Sequence, residues 1–200
     1  MCIRDRACTN RSTSSEQDEM RHWNNVLQQI NALLLENKAR QTLDLAKQTL
    51  PEILESAEKN GTTDTLIYYA RKIFNACGNN YINTKQYKDG IDYMDSIGNH
   101  PLIREHCPHE LLSFKAGLNQ LYGNNPEAVR LAEDYLQLPV CTSANDFIRQ
   151  AEIISGVYMY SGNNLPKAIQ ILEKAIDVYR KGGNFPNMLR IMSRLSLIHI

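Results

Sequence analysis

The sequence predicts an all-α protein in which helices follow one another in pairs. Apolar residues recur at intervals of three and four through most of the chain, which is the period of an α-helix with one buried face. Leu, Ala, Ile, Lys, Glu and Gln dominate and favour helices, while Gly (10 of 200 residues) and Pro (7) fall mainly between the periodic segments. We find no convincing alternation of apolar and polar residues of the kind that indicates a half-buried strand.

The two ends of the chain are expected to be foreign to the protein. One codon reading of "MCIRDR" is the reverse complement of a reading that encodes Leu195 to His199 of "LSLIHI". Ends that are reverse complements arise when the same DNA oligonucleotide is joined to both sides of an insert. The oligonucleotide sequence read here resembles a transposon adapter. Residues 1–6 and 195–200 are therefore interpreted as adapter-derived, although Leu and Ile also suit a continuation of the preceding helix.

Residues 7–18 are predicted to be a disordered linker, because Ser and Thr dominate this segment and it has little that can pack. Within it, Ala7 and Cys8 followed by a polar run resemble the processing site of bacterial lipoproteins, which implies Cys8 as a lipidation candidate. The alternative is a surface cysteine in a disordered lead. Cys77, Cys107 and Cys141 share no metal-like or redox spacing, so we expect no disulfide framework.

The helical domain is predicted to span residues 19–194. Its first pair runs from about Glu19 to Leu34 and from Lys38 onward, and its second from about Asp64 to Tyr81 and from Thr84 to Ile97. The additional segment "EILESAEKN" is expected to extend the second helix past Pro51, with a kink at the proline because proline removes a backbone donor.

The later pairs begin with clear helix-start signals. Pro108 opens the third pair, with Glu110 near the positive end of the helix, and Asn125 is predicted to cap the second helix of that pair ahead of Pro126. The fourth pair covers Phe147 to Tyr158, capped by Ser143, and Leu165 to Tyr179, capped by Asn164. "NFPNMLRIMSR" starts a fifth. One pair cannot bury its own apolar stripe, so about four pairs and this start are expected to stack as an α-solenoid.

The segment "GNNYINTKQYKDGIDYM" resembles the tetratricopeptide repeat, through Gly78, Tyr81, Tyr87, Gly90 and Met94. Further matching positions are Trp23, Ala39, Leu43, Ala46 and Pro51 in the first pair, Gly123, Ala128 and Ala132 in the third, and Tyr158, Gly162, Ala168, Leu172 and Ala175 in the fourth. The resemblance implies a right-handed solenoid of antiparallel helix pairs. The small anchors Ala39, Gly90, Ala128 and Ala168 lie 51, 38 and 40 residues apart, so we expect helices longer than those of the family.

The resemblance also implies a concave binding groove lined by the first helix of each pair. Carrying the repeat register onto this chain places there Arg21, Asn24, Gln28, Lys72, Asn75, Asn79, Gln120, Arg149, Glu152 and Tyr160. Asn and Gln can hydrogen-bond the main chain of an extended peptide, and Lys72 with Arg149 can hold a carboxylate. The alternative is a solvated polar face without a ligand.

Metal and catalytic sites are not expected. "REHCPHE" gathers His106, Cys107, His109 and Glu110, but the second, distant ligand pair typical of zinc sites is not evident. No nucleophile, base and orienting acid can be assembled from the sequence, and no glycine-rich phosphate loop follows a strand. We therefore expect a non-enzymatic protein without a cofactor.

The net charge indicates which classes of partner the chain can attract. Without Arg4, Asp5 and Arg6 the chain has 20 basic and 21 acidic residues and a net charge of −1, so no basic field attracts nucleic acid. The partner is expected to be a protein or peptide. Contact with a membrane is expected only through a lipid anchor or a helix beyond this sequence.

Long, Asn-rich repeats of this kind resemble the N-terminal regions of bacterial signalling proteins. That resemblance implies the sensory or scaffolding part of a two-component sensor in the periplasm or cell envelope. A cytoplasmic transcriptional regulator with peptide-binding repeats is the first alternative. A fragment of a metal-binding enzyme, with the metal at His106 and His109, is the second.

Overall fold

The computed structural model describes the backbone of residues 5–139, 144–162, 164–183 and 185–198. Within these ranges it describes the side chains of residues 18–139, 150–162, 164–181, 183, 185–186, 188–193 and 195–196. This part of the chain contains ten α-helices and no strand, which confirms the all-α class. The helices are α1 (Asp5–Leu35), α2 (Ala39–Asn60), α3 (Asp64–Asn83), α4 (Tyr87–Gly98), α5 (Pro101–His106), α6 (Pro108–Tyr122), α7 (Asn125–Gln137), α8 (Ala144–Tyr160), α9 (Leu165–Gly182) and α10 (Phe185–Ile198).

The helices group into two compact units. Unit 1 holds α1–α3 within Met1–Thr84, and unit 2 holds α4–α10 within Lys85–Ile200. The first, third and fourth predicted pairs each lie within one unit, whereas α3 and α4, the predicted second pair, belong to different units.

Unit 1 is a three-helix arrangement in which α1, α2 and α3 each pack against the other two. Its core contains an aromatic contact between α1 and α3, because the ring centroids of Trp23 and Tyr69 lie 5.8 Å apart. Leu50, Ile53 and Phe74 are completely buried beside them. Burial of each large apolar side chain contributes about 1.5–3 kcal/mol to folding, so this core stabilises unit 1.

The helix ends of unit 1 follow local signals. Asn37 adopts a left-handed φ of 56° between α1 and α2, a conformation that Asn tolerates better than most residues. Thr63 caps α3, since its Oγ1 accepts a hydrogen bond of 3.2 Å from the Leu66 amide. The predicted extension of the second helix past Pro51 is confirmed, because α2 runs unbroken to Asn60.

Unit 2 contains two helix pairs in which consecutive helices pack against each other, α6 with α7 and α8 with α9. α6 also packs against α8 and α4, and α9 packs against α10. Small residues lie at the contacts: Ala128, Ala132, Ala168 and Ala175 are completely buried. Alanine has a small side chain, so it lets packed helices approach closely at these positions.

α6 and α8 approach each other closely within unit 2. A Cβ atom built on Gly117 would lie only 2.6 Å from Cγ2 of Ile153. Glycine is therefore required at this position of α6 by the packing of its neighbour, although glycine disfavours a helix interior.

The predicted helix starts of unit 2 are confirmed at Pro108 and Asn164. Asn164 accepts a hydrogen bond of 3.1 Å from the Lys167 amide through its side chain. The predicted cap at Asn125 is wrong, because Asn124 occupies the cap position and α7 begins at Asn125. Asn125 instead accepts a hydrogen bond of 2.8 Å from the Ser161 hydroxyl. The predicted cap Ser143 lies outside the described residues.

Two further expectations concern the ends of the chain. The backbone of residues 7–18, expected to be a disordered linker, lies within α1. The segment contains neither Gly nor Pro, so no residue in it breaks a helix that continues from the packed part of α1. At the other end, α10 continues through Leu195 to Ile198, and Leu195 packs against the core of unit 2.

Candidate functional site

Four residues form a partly accessible row along α3, which we call the α3 row: Tyr68, Lys72, Asn75 and Asn79. Their spacing of four, three and four places them on one side of the helix. The opposite side of α3 is buried in the core of unit 1 through residues such as Ile73 and Phe74. The helix therefore holds the row on a rigid support while leaving its polar groups within reach of a ligand.

The aromatic end of the α3 row is fixed by ring contacts. Tyr68 is 53% exposed, and its ring meets that of Tyr69 edge-on with centroids 5.4 Å apart. Nζ of Lys72 lies 5.8 Å from the centroid of the Tyr68 ring, a cation–π arrangement. Because Tyr69 in turn packs on Trp23, the core of unit 1 orients this end of the row.

At the amide end of the α3 row, the side chain of Asn79 already forms a hydrogen bond, whereas that of Asn75 is available to a ligand. The side-chain nitrogen of Asn79 donates a hydrogen bond of 2.9 Å to the Asn75 carbonyl one turn earlier. The Asn75 amide is half-buried and makes no hydrogen bond through its side chain to any residue that the structure describes. It retains a donor and an acceptor, the pair that an extended peptide backbone requires.

The predicted groove residues of the first helix lie on α1. Arg21, Asn24 and Gln28 are all exposed. Trp23 and Val26, which lie among them in the sequence, are buried. Arg21 forms an ion pair of 3.5 Å with Asp18 on the same helix. Since α1 packs against α3, these residues and the α3 row belong to neighbouring helices.

The predicted groove residues of unit 2 differ in their surroundings. Gln120 is half-buried and Tyr160 is 74% exposed. Glu152 is only 4% exposed, and its Oε1 lies 3.1 Å from Nε of Arg190 on α10. Glu152 is thus a buried partner in an ion pair rather than an open groove contact, because α10 supplies a guanidinium that the repeat register does not take into account. The side chains of Arg149 and Cys8 lie outside the described residues.

Unit 2 also contains buried polar groups that the sequence patterns did not reveal. The Tyr135 hydroxyl donates a hydrogen bond of 3.0 Å to Gln150, which joins α7 to α8. Burial, with a smaller contribution from Glu133, raises the pKa of Tyr158 to about 12. Nζ of Lys167 lies 5.2 Å from the centroid of the Tyr158 ring. These groups join helices inside the unit.

The "REHCPHE" segment forms the junction between α5 and α6. Cys107 is completely buried there, and Nε2 of His109 donates a hydrogen bond of 2.7 Å to the Pro139 carbonyl. Glu110 is in the first turn of α6, as predicted, but it is also buried. Across the described ranges, no three His, Cys, Asp or Glu side chains are grouped so that they could hold a metal ion.

Comparisons with known proteins give no assignment: no family model and no curated protein matches the chain. Each helix in the described part of the chain is too short or too polar to span a bilayer.

Sequence reasoning found three of the four residues in the α3 row and missed Tyr68. Tyr68 lies one turn before Lys72, so the helical spacing alone could have indicated it. Arg190 could not have been found in the same way, because its contact with Glu152 joins helices whose packing the sequence does not give.

Proposed function

We propose that this chain is a non-enzymatic module that binds a protein or peptide. In this proposal its helices follow the right-handed, tetratricopeptide-like arrangement of antiparallel pairs. The buried alanines of α7 and α9 support the arrangement, since they occupy the small-residue positions of that repeat. The observation that carries the binding function is the α3 row, where an aromatic ring, a cation and an amide stand along one side of a helix.

The chemistry of the α3 row fits a short extended peptide that carries a carboxylate. Lys72 attracts the carboxylate, and the Tyr68 ring lies close enough to cover an apolar part of the ligand. Asn75 offers one donor and one acceptor to a single peptide unit. Arg21, Asn24 and Gln28 are exposed on the neighbouring α1 and offer further polar groups in the same unit.

The experiment is a selection of peptides from a random display library, followed by titration of a recovered peptide. Lys72→Ala is expected to weaken binding about tenfold, equivalent to about 1.4 kcal/mol. Asn75→Ala is expected to weaken it about three- to tenfold, as expected for a hydrogen bond at a partly accessible site.

Lys47→Ala is the matched control for Lys72→Ala. Lys47 lies on α2, and its Nζ is 5.7 Å from the centroid of the Tyr81 ring, so the substitution removes the same charge and the same type of ring contact. We expect the control to bind within twofold of the unchanged protein. If Lys72→Ala and Asn75→Ala both bind like the unchanged protein, or if Lys47→Ala weakens binding equally, the proposed site is wrong.

The cellular setting that we propose is the envelope of a bacterium, where the module serves as the sensory or scaffolding part of a two-component signalling protein. The resemblance of Ala7 and Cys8 to a lipoprotein processing site supports this setting. Metabolic labelling of the native gene product with radioactive palmitate tests it. We expect label on the protein and none after Cys8→Ser, whereas equal labelling of both, or label on neither, would exclude Cys8 as the anchor.

A further inference from the structure

A cavity of about 320 Å³ lies in unit 2 between α7 and α9. Most of its lining side chains are apolar, including Leu136 and Leu138 from α7 and its C-terminal end and Ile171 and Val178 from α9. Its volume is at the lower end of the range of small-molecule pockets and exceeds that of a single side chain. The cavity therefore suits the apolar body of a small molecule.

The α9 side of the cavity alternates apolar and basic residues. Ile171, Lys174, Val178 and Lys181 follow one another at intervals of three and four, so they occupy one side of the helix. Lys174 and Lys181 are both exposed at this edge, and neither forms an ion pair with any residue in the described ranges. Two cations thus stand beside an apolar interior.

Among the described residues, the one carboxylate that lines the cavity is already engaged. Asp177 lies between the two lysines in sequence, but its Oδ1 is 3.2 Å from a guanidinium nitrogen of Arg180. With Asp177 and Arg180 offsetting each other, the two lysines leave this edge positively charged. An anionic head group is the complement of that charge.

The other end of the cavity is held by His109. A carbonyl oxygen only accepts hydrogen bonds, so the 2.7 Å contact between Nε2 of His109 and Pro139 O requires the proton on Nε2. The His109 ring also packs edge-on against Tyr135, with centroids 5.7 Å apart. This contact fixes the aromatic wall of the cavity and links it to the Tyr135 hydrogen bond with Gln150.

We propose that this cavity binds a small carboxylic acid with an apolar body, whose carboxylate lies beside Lys174 and Lys181. The site is independent of the α3 row, since it lies in unit 2 and takes a different class of ligand. It adds a small-molecule binding function to this unit.

The test uses octanoate and 1-octanol as probes, each titrated calorimetrically into the full chain. The two probes share an alkyl chain and differ in charge. We expect one octanoate to bind per chain, at least fivefold more tightly than octanol, and raised salt to remove most of this difference by screening the lysines. No binding of octanoate, or equal affinity for both probes, would overturn the proposal.

Three variants locate the site. The double variant Lys174→Ala with Lys181→Ala is expected to weaken octanoate binding at least fivefold and to leave octanol unchanged. Lys167→Ala removes a charge from the same helix outside the cavity lining, and it is expected to change neither the affinity for octanoate nor that for octanol. Val178→Trp is expected to fill the cavity and abolish binding of both probes. Unchanged octanoate affinity in the double lysine variant contradicts the proposal even if Val178→Trp fails to fold.

Discussion

The two units bury their polar groups in different ways. In unit 1 three of the four buried polar residues that the structure describes bond to their own helix: Thr42 and Thr49 donate to carbonyls one turn earlier, at 3.0 and 2.9 Å, and Asn80 donates to the Ala76 carbonyl. The fourth, Ser56, is 8% exposed, and its hydroxyl donates a hydrogen bond of 2.8 Å to the Glu19 carboxylate on α1. In unit 2 a buried hydrogen bond joins Tyr135 to Gln150 on another helix, and the Glu152 carboxylate pairs with Arg190.

This difference shows which interactions determine how the helices pack in each unit. Polar bonds within a helix satisfy buried groups but do not position neighbouring helices. Contacts such as the one between α8 and α10 fix the relative position of two helices, and they carry a large penalty when one partner is removed. Unit 1 therefore depends mainly on the shape of its apolar core, and unit 2 depends more strongly on buried polar pairs between helices.

The largest effect is expected for Phe74→Ala in unit 1. Phe74 is completely buried, and loss of a buried Phe side chain lowers the free energy of unfolding by about 3–5 kcal/mol. Urea unfolding followed through Trp23, the single Trp of the chain, reports on this unit. Tyr68→Ala is the matched control, since Tyr68 lies on the same helix and is 53% exposed. A similar loss in both variants would contradict the assignment of the unit 1 core.

The next effect tests the close helix approach in unit 2. Gly117→Ala introduces a Cβ 2.6 Å from Ile153, and such overpacking lowers the free energy of unfolding by about 1–3 kcal/mol. Gly156→Ala makes the same change on the partner helix, but there the new Cβ lies 3.9 Å from Gln120. We expect it to stabilise the protein by up to about 1 kcal/mol, because Ala favours helices over Gly.

The two glycine variants are compared by urea unfolding followed by circular dichroism. The destabilisation by Gly117→Ala is expected to shrink when Ile153→Ala is already present, because the clashing methyl group is gone. If Gly117→Ala and Gly156→Ala change stability equally, α6 and α8 do not approach as described.

A similar effect is expected for Arg190→Ala, which leaves the Glu152 carboxylate buried without this cation. The free energy of unfolding should fall by about 1–3 kcal/mol, the penalty for an under-satisfied buried group. In the background of Glu152→Gln, Arg190→Ala should lower the free energy of unfolding much less. A double-mutant cycle therefore measures the interaction energy between Glu152 and Arg190. Arg180→Ala, which breaks an exposed pair with Asp177, should change stability by less than about 1 kcal/mol. Equal losses for the two arginines would contradict the comparison.

The smallest effect under ordinary conditions concerns Tyr158. Burial raises the pKa of its hydroxyl from the ordinary value of 10.0 to about 12. A raised pKa means that the folded state keeps the proton more tightly, so this stability is fully present below pH 10 and is lost as pH rises towards 12. Tyr158→Phe should therefore flatten the fall in stability between pH 10 and 12. Tyr160→Phe, at a residue that is 74% exposed, should not. Identical pH profiles for the two variants would refute this explanation.

Much of the fold could be predicted from the sequence, because apolar periodicity and helix-start residues are local signals. Leu165 and Asn164, for example, mark the start of α9 as predicted. α5 was missed, although His100 caps it by accepting a hydrogen bond from the Leu102 amide at 3.2 Å. A helix of six residues is too short to show a periodic pattern.

The candidate sites were less predictable, for a physical reason. A residue's place along one helix follows from its spacing, which is why Lys72, Asn75 and Asn79 were found. Whether a polar side chain stays accessible depends on the next helix, as Glu152 and Arg190 illustrate. The cavity beside α9 also depends on Leu136 and Pro139, which approach Lys174 only after the helices have packed.

The central claim, that the α3 row binds a peptide, is tested most directly by photocrosslinking. The variant Tyr68→p-benzoylphenylalanine places a photoreactive group in the row, and Tyr122→p-benzoylphenylalanine places it in unit 2 at nearly the same exposure, 55% against 53%. We predict that a peptide recovered by display is captured through position 68 and not through position 122. Capture through position 122 alone, or equally through both, would contradict the claim.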